Sequence, residues 1–147
     1  MNSQLASMNK ESIAIAVKTE QSLQKLPQLE QLTTWHTLHA GIYSRTVHLK
    51  AGEAIVGALI KVPTTLTIAG DMKVYIGNEV RHVEGFTVIA ASQHRKQVMY
   101  AIKDTFVTMS FCTTAQTIEE AEDEFTDESD KLMSRDKNSI NIIQIGD

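Results

Sequence analysis

The sequence predicts a mainly β fold, a small jelly roll or closed barrel with helices confined to its two ends. Three observations carry this. From Tyr43 to Cys112 short apolar/polar alternations follow one another, and turn residues punctuate them at Gly52, Gly70, Gly77-Asn78, Gly85 and Lys103-Asp104. No stretch between Gly52 and Thr105 leaves room for a helix. On both sides of this block the apolar spacing changes to a helical one.

The elements follow in order. Positions 1–40 read as an N-terminal helical arm whose pattern runs to about Leu32: Ile13, Val17, Leu23 and Leu26 recur at roughly helical spacing, Ser12 can cap, and Pro27 ends the pattern. Such an apolar stripe needs a surface, either the barrel or a second subunit. Positions 41–113 form the barrel, with strands expected at Tyr43–Leu49, Ala54–Lys61, Thr64–Ile68, Met72–Ile76, Glu79–Val83, Phe86–Ala90, Gln97–Ile102 and Thr105–Cys112. Positions 114–147 are an acidic helix and tail. There Thr117-Ile118-Glu119-Glu120 is a capping box, and Ile118, Ala121 and Phe125 share one helical face. The carboxylates Glu119, Glu120, Glu122, Asp123, Glu124, Asp127, Glu128 and Asp130 crowd the rest. They lack the alternating ligands and central glycine of a calcium loop, so they read as a solvated face. Ile140, Ile142, Ile143 and Ile145 suit a last strand, added to a sheet edge or to a partner chain.

Composition narrows the function classes. With 147 residues the chain is one domain, and its 42% hydrophobic content includes no run near the roughly 20 apolar residues of a membrane-spanning helix. A net charge of −4 and 5% aromatic content argue against general nucleic-acid binding. The start of the chain has no charged segment followed by an apolar stretch, so no secretory signal is expected. The single cysteine, Cys112, cannot form an internal disulfide, which fits a reducing cytoplasm.

Four passages together carry a resemblance: Gly41-Ile42-Tyr43-Ser44-Arg45, then Leu49 to Gly57 (Leu-Lys-Ala-Gly-Glu-Ala-Ile-Val-Gly), then Ile68-Ala69-Gly70-Asp71-Met72-Lys73-Val74, then Tyr100-Ala101-Ile102-Lys103-Asp104-Thr105. Over about Gly41 to Glu124 the chain resembles the small cupin proteins found mainly in tailed bacteriophages and prophages. The resemblance implies a double-stranded β-helix around a pocket, a homo-oligomer, and the cytoplasm of a bacterial host. Cupin enzymes hold a metal with histidines and a glutamate from two motifs. Here the first motif's positions read Ala58-Leu59-Ile60-Lys61-Val62-Pro63-Thr64-Thr65-Leu66, and His94 alone stands near the second. One histidine does not make a metal site, so no cofactor, no metal and no catalytic residue is expected.

The other histidines read as structural. His36 and His39 have the i, i+3 spacing of one helical turn but no acidic neighbour, and His48 and His82 read as cross-strand partners. No serine stands in a nucleophile elbow, Cys112 has no adjacent base, and the glycines form no phosphate-cradling loop.

What remains is a basic turn. His94, Arg95 and Lys96 are the tight cationic cluster of an acidic chain, on a turn that the resemblance puts at the barrel mouth, with Lys61, Thr65, Thr67 and Tyr100 on neighbouring strands. A guanidinium, an ammonium and hydroxyls around an apolar cavity suit a small anionic ligand such as a phosphate-bearing nucleotide. An ordinary solvated turn is the competing reading. With the phage resemblance, the expectation is a non-catalytic accessory protein that binds or sequesters a small anion, such as a nucleotide signal of host antiviral defence. Two alternatives stay open: a cupin enzyme with a non-standard metal site drawn from His36, His39, His48, His82 or His94, and a phage structural or assembly protein. Metal analysis separates the first from the second, and presence in purified virions marks the third.

Overall fold

The computed structural model describes residues 4–28 and 32–146. Its strands are β1 (Gln4–Leu5), β2 (Thr33–His39), β3 (Ile42–Leu49), β4 (Ala54–Val56), β5 (Thr64–Ile76), β6 (Glu79–Ala91), β7 (Val98–Ala101), β8 (Thr105–Cys112) and β9 (Ile140–Ile145). Helices α1 (Lys10–Leu23) and α2 (Ile118–Phe125) lie outside the central block, as expected, and two short 3₁₀ turns at Ser129–Lys131 and Met133–Arg135 lead into β9. The chain is a mainly β jelly roll.

The β5–β6 hairpin organises the molecule. Its two 13-residue strands pair antiparallel from Thr64↔Ala91 to Ile76↔Glu79. The free edge of β5 is shared: Thr65 to Ala69 pair with β8, and Met72 to Tyr75 pair with β7. Thus one strand passes from one half of the roll to the other, as strands do at the corners of packed sheets. The sheet runs β1-β6-β5-β8-β3-β2-β9, with β4 attached through β7.

The corner needs glycine. The sequence reading breaks both strands at Gly70 and Gly85; instead these residues stand opposite each other inside the ladder. Gly70 has φ 150° and Gly85 φ 81°, conformations that side chains oppose. A Cβ on Gly70 would lie 2.3 Å from Thr105 Oγ1 and 2.7 Å from the Asp104 carbonyl oxygen. Glycine here bends a strand without ending it.

Period two holds where it was read. Tyr43 and Leu49 on β3, and Val107, Met109 and Phe111 on β8, face the core, and Ile68, Met72, Val74, Val83 and Ile89 join them from the hairpin. Helix α2 docks as its pattern predicts, with Ile118, Ala121 and Phe125 buried. Phe125 stacks at 6.4 Å on Tyr43 and meets Phe111 edge-on at 6.2 Å. Burying one such ring stabilises by about 1.5–3 kcal/mol. Half of the expected capping box forms: Thr117 Oγ1 accepts from the Glu120 amide, but the Glu120 carboxylate takes the amide of Gln116.

Several expectations change. The expected strand from Ala54 shortens to Ala54–Val56, leaving Ile60 in an isolated bridge with Arg95. Asn9, not Ser12, caps α1, accepting from the Ser12 amide. Among the described residues of the arm only Lys10–Leu23 is helical, and Thr33–His39 is a strand, so His36 and His39 do not share a helical turn; the part of the expected pattern at 29–31 lies outside the described residues. The Ile-rich tail does add a strand: β9 runs parallel to β2 from Thr33↔Ile140 to Leu38↔Ile145.

Candidate ligand cavity

Between the two halves of the roll lies a cavity of about 160 Å³. Val47, Leu66, Val107 and Met109 line it from one half, Ile55 and Met99 from the other. Phe125 and the segment after α2 close one end. Its walls are mostly aliphatic because inward positions of β3, β5, β7 and β8 carry branched or thioether side chains. The polar groups that reach it are few: Arg45, Arg95, Gln97, Glu20, Glu128 and Lys131.

Arg95 is the central one. It is 1% exposed, so the solvated turn of the sequence reading does not hold. Of the three basic residues the exposed one is His94, whose φ of 63° swings the chain inward. The His94 amide donates to the Ile60 carbonyl at 2.7 Å and its own carbonyl accepts from Met8 at 2.9 Å, fixing the turn between two segments. Arg95 then points into the protein, where Nη1 donates to the Ser92 carbonyl and Nη2 to the Thr64 hydroxyl. Its Nε is buried with no partner, and among the described residues no carboxylate pairs with this guanidinium. Burial pulls its pKa down to about 10, which leaves it cationic at neutral pH. Gln97, two residues on and 7% exposed, has a buried Nε2 that is also without a partner. Sequence reasoning missed Gln97, since a neutral amide carries no charge signal.

Lys96 alternates to another environment. It is 2% exposed, and its ammonium lies 3.2 Å from Glu20 and 3.3 Å from Glu128. Burial would raise the Glu128 carboxyl, but the Leu59 amide and Lys96 hold it below the usual range. The lysine therefore joins α1 and the segment after α2 to the barrel, and its charge is already compensated.

The remaining expected site residues do not converge. Lys61 is exposed and pairs with Asp127. Thr65 and Thr67 alternate with buried Leu66 and so face outward, while Tyr100 lines a separate groove under α1 with Ile15 and Leu23. Of the seven residues, Arg95 alone reaches the cavity.

The acidic helix also departs from its reading. Glu122 is 2% exposed: Arg45 and Ser134 reach its Oε2 at 2.8 and 2.6 Å, and Arg135 its Oε1 at 3.0 Å. Burial would raise this carboxyl, but the Ser134 and Arg135 hydrogen bonds and the Arg45 charge outweigh it and hold the pKa below the usual range. The salt bridge neutralises Arg45, the other guanidinium at the cavity wall. Among the described residues, Arg95 is left as the cavity-wall guanidinium with no ion-pair partner.

No family model matches the sequence, and no curated protein matches it. Solved structures are similar to part of it. An uncharacterized conserved protein with a double-stranded β-helix domain from Klebsiella pneumoniae shares 17% identity over 60% of this chain and 79% of that one, with a TM-score of 0.49. Ectoine synthase from P. lautus shares 15% over 67% and 76%, at 0.48. A cupin superfamily protein from Desulfitobacterium hafniense shares 8% over 49% and 67%, at 0.41. These partial likenesses carry no chemistry across.

Proposed function

We propose that the protein is a non-catalytic binding protein that encloses a small anion, with Arg95 as its counter-charge and Gln97 as a second donor. The observation that carries this is the pair of buried, unpartnered donors at one apolar cavity. A buried cation without compensation costs several kcal/mol, and a buried donor left unmade costs about 1–3 kcal/mol. An acceptor-bearing anion removes both costs at once. A guanidinium titrating near 10 neither gives nor takes a proton at neutral pH, so its role here is to hold and not to transfer.

The cavity of about 160 Å³ lies below the roughly 300–1,000 Å³ of pockets for drug-sized ligands. A carboxylate or phosphate with a small apolar body fits it whole. A nucleotide signal of antiviral defence, the ligand expected for a phage accessory protein, would place its phosphate on Arg95 and its base toward Lys131 and the surface. Sequestration of such a signal is the biological role we assign.

The test is calorimetry of the purified chain against linear and cyclic nucleotides, short-chain carboxylates and inorganic phosphate, with Arg95→Gln and Gln97→Leu beside the wild type. Arg95→Gln should weaken binding about tenfold to a hundredfold or more, the worth of a charge-assisted hydrogen bond of roughly 1.5–3 kcal/mol. Gln97→Leu replaces an unpartnered amide by an apolar group and should keep the fold while weakening binding about two- to tenfold. Wild type that binds none of the panel, or equal affinities in wild type and the Gln97 variant, overturns the reading.

A further inference from the structure

The outer face of the β5–β6 hairpin carries a second group of chemistry-bearing side chains, away from the cavity. Asp71 stands directly across from Glu84, and His82 across from Lys73, in the antiparallel register. Alternation sets Asp71, His82 and Glu84 on the face opposite the buried Met72 and Val83. One ligand atom from each of the three lies within 4.8 Å of the others.

Asp71 is the fixed member. It is 8% exposed, its amide donates to Thr105 Oγ1 at 3.0 Å, and its carbonyl accepts from the amides of Ile102 and Lys103. Its carboxylate oxygen lies 2.6 Å from His82 Nε2. His82 and Glu84 are exposed, so an ion reaches them without any opening of the fold. Two carboxylates directly across an antiparallel pair repel. The antiparallel register of the hairpin, unbroken from Thr64↔Ala91 to Ile76↔Glu79, holds them opposite each other. Hydrogen bonding to His82 offsets part of that repulsion, and a cation held among all three side chains offsets the rest.

We propose that Asp71, His82 and Glu84 bind a divalent transition-metal ion, of the zinc or manganese class, on the outer face of the hairpin. One imidazole nitrogen with two carboxylate oxygens suits these ions, whereas calcium prefers six to eight oxygens. Zinc bonds of about 2.0–2.2 Å space tetrahedral ligands about 3.3 Å apart, so the ion replaces the direct His82–Asp71 hydrogen bond and draws Glu84 inward. Water completes the shell. Lys73 is the cation that competes on this face. Bound there, the ion clamps the two strands beside the corner where β5 crosses between the halves of the roll. The proposal does not depend on the anion reading of the cavity.

Chelator-treated full-length protein titrated by calorimetry with zinc, manganese and calcium chlorides tests it, with His82→Ala and Glu84→Gln alongside. Both substituted residues are exposed, so the variants should fold, and circular dichroism checks that they do. The expected result is one equivalent of zinc or manganese bound at micromolar Kd by the wild type, at least tenfold weaker binding in each variant, and a metal-dependent rise in Tm that both variants lose. Absence of zinc and manganese binding in the wild type, unchanged affinity in the two variants, or calcium binding as tight as zinc overturns it.

Discussion

His36 ties the end of the chain to the barrel through both ring nitrogens. Nε2 lies 2.7 Å from Asn141 Oδ1 on β9 and Nδ1 lies 2.8 Å from the Tyr43 hydroxyl, which fits the neutral tautomer that donates to Asn141 and accepts from Tyr43. Burial holds its pKa below the usual 6.5; the Asn141 bond opposes this and the Arg45 charge adds to it. The folded state therefore binds the proton less well than the unfolded one. The stability that depends on neutral His36 is fully present above the unfolded pKa and is lost as pH falls through it toward the folded value. Glu122 follows the same sign in the acid range, because its depressed carboxyl stabilises above the ordinary carboxylate pKa and fails as pH drops through the folded value. The urea midpoint should thus be flat between pH ~7 and ~9, decline first below ~6.5 and again below ~4.3. His36→Gln leaves Tyr43 or Asn141 short of a partner, costs about 1–3 kcal/mol, and should lack the first decline. A wild-type midpoint unchanged between pH 7.5 and 5.5, values spanning that first step, would contradict it.

Among the elements, the β5–β6 hairpin shows both what the amino-acid order reveals and what it hides. Strands β3 and β8 were legible because one face is buried and the other wet, which prints period two directly on Tyr43–Leu49 and Thr105–Cys112. The corner at Gly70 was not, since a glycine that bends a continuous strand and one that ends it look alike along the chain. Strand β2 was hidden because polar Thr34 and His36 take inward positions, so its buried face does not read as apolar. Arg95 and Lys96 were legible as charges but not as buried ones. The acids that compensate Lys96, Glu20 and Glu128, lie far off in sequence, and the donor beside Arg95, Gln97, is neutral. The corner itself can be tested. Gly70→Ala should cost about 2 kcal/mol or more in urea denaturation, from unfavourable φ plus a clash with the Asp104–Thr105 backbone. Gly52→Ala shares a positive φ of 88° but meets open space, so strain alone, about 1 kcal/mol, should apply there. Equal losses at the two positions would show that the close approach at Gly70 is not what demands glycine.

At the scale of the whole molecule, the outer face of the large sheet is where a second copy is expected to dock. Its outward positions on β2, β3 and β8 are Thr, Ser, His, Trp, Phe, Ile and Cys, without one Asp, Glu, Lys or Arg. Hydroxyls already satisfy one another across it, Ser44 with Ser110 at 2.8 Å and Thr46 with Thr108 at 2.7 Å, which leaves little polar demand for water. Apolar side chains continue the face on both flanks: Phe86 is 76% exposed, Phe106 44% and Ile142 47%. Strand β9 adds an open hydrogen-bonding edge and exposes Ile143 and Ile145 on its other side. An edge strand with apolar residues on both faces invites pairing, and the outward positions of β2, β3 and β8, with no carboxylate, ammonium or guanidinium among them, offer little to a partner of opposite sign. A second copy of the same surface, brought together about a two-fold axis, matches it in kind. The chain should therefore sediment as a dimer or larger species at micromolar concentration, and Phe86→Glu combined with Ile143→Lys should shift it to monomer with the far-ultraviolet spectrum unchanged, because both side chains are exposed in the single chain. A wild-type monomer under those conditions, or a charged double variant that sediments like the wild type, would mean that this face and edge are not where the copies meet.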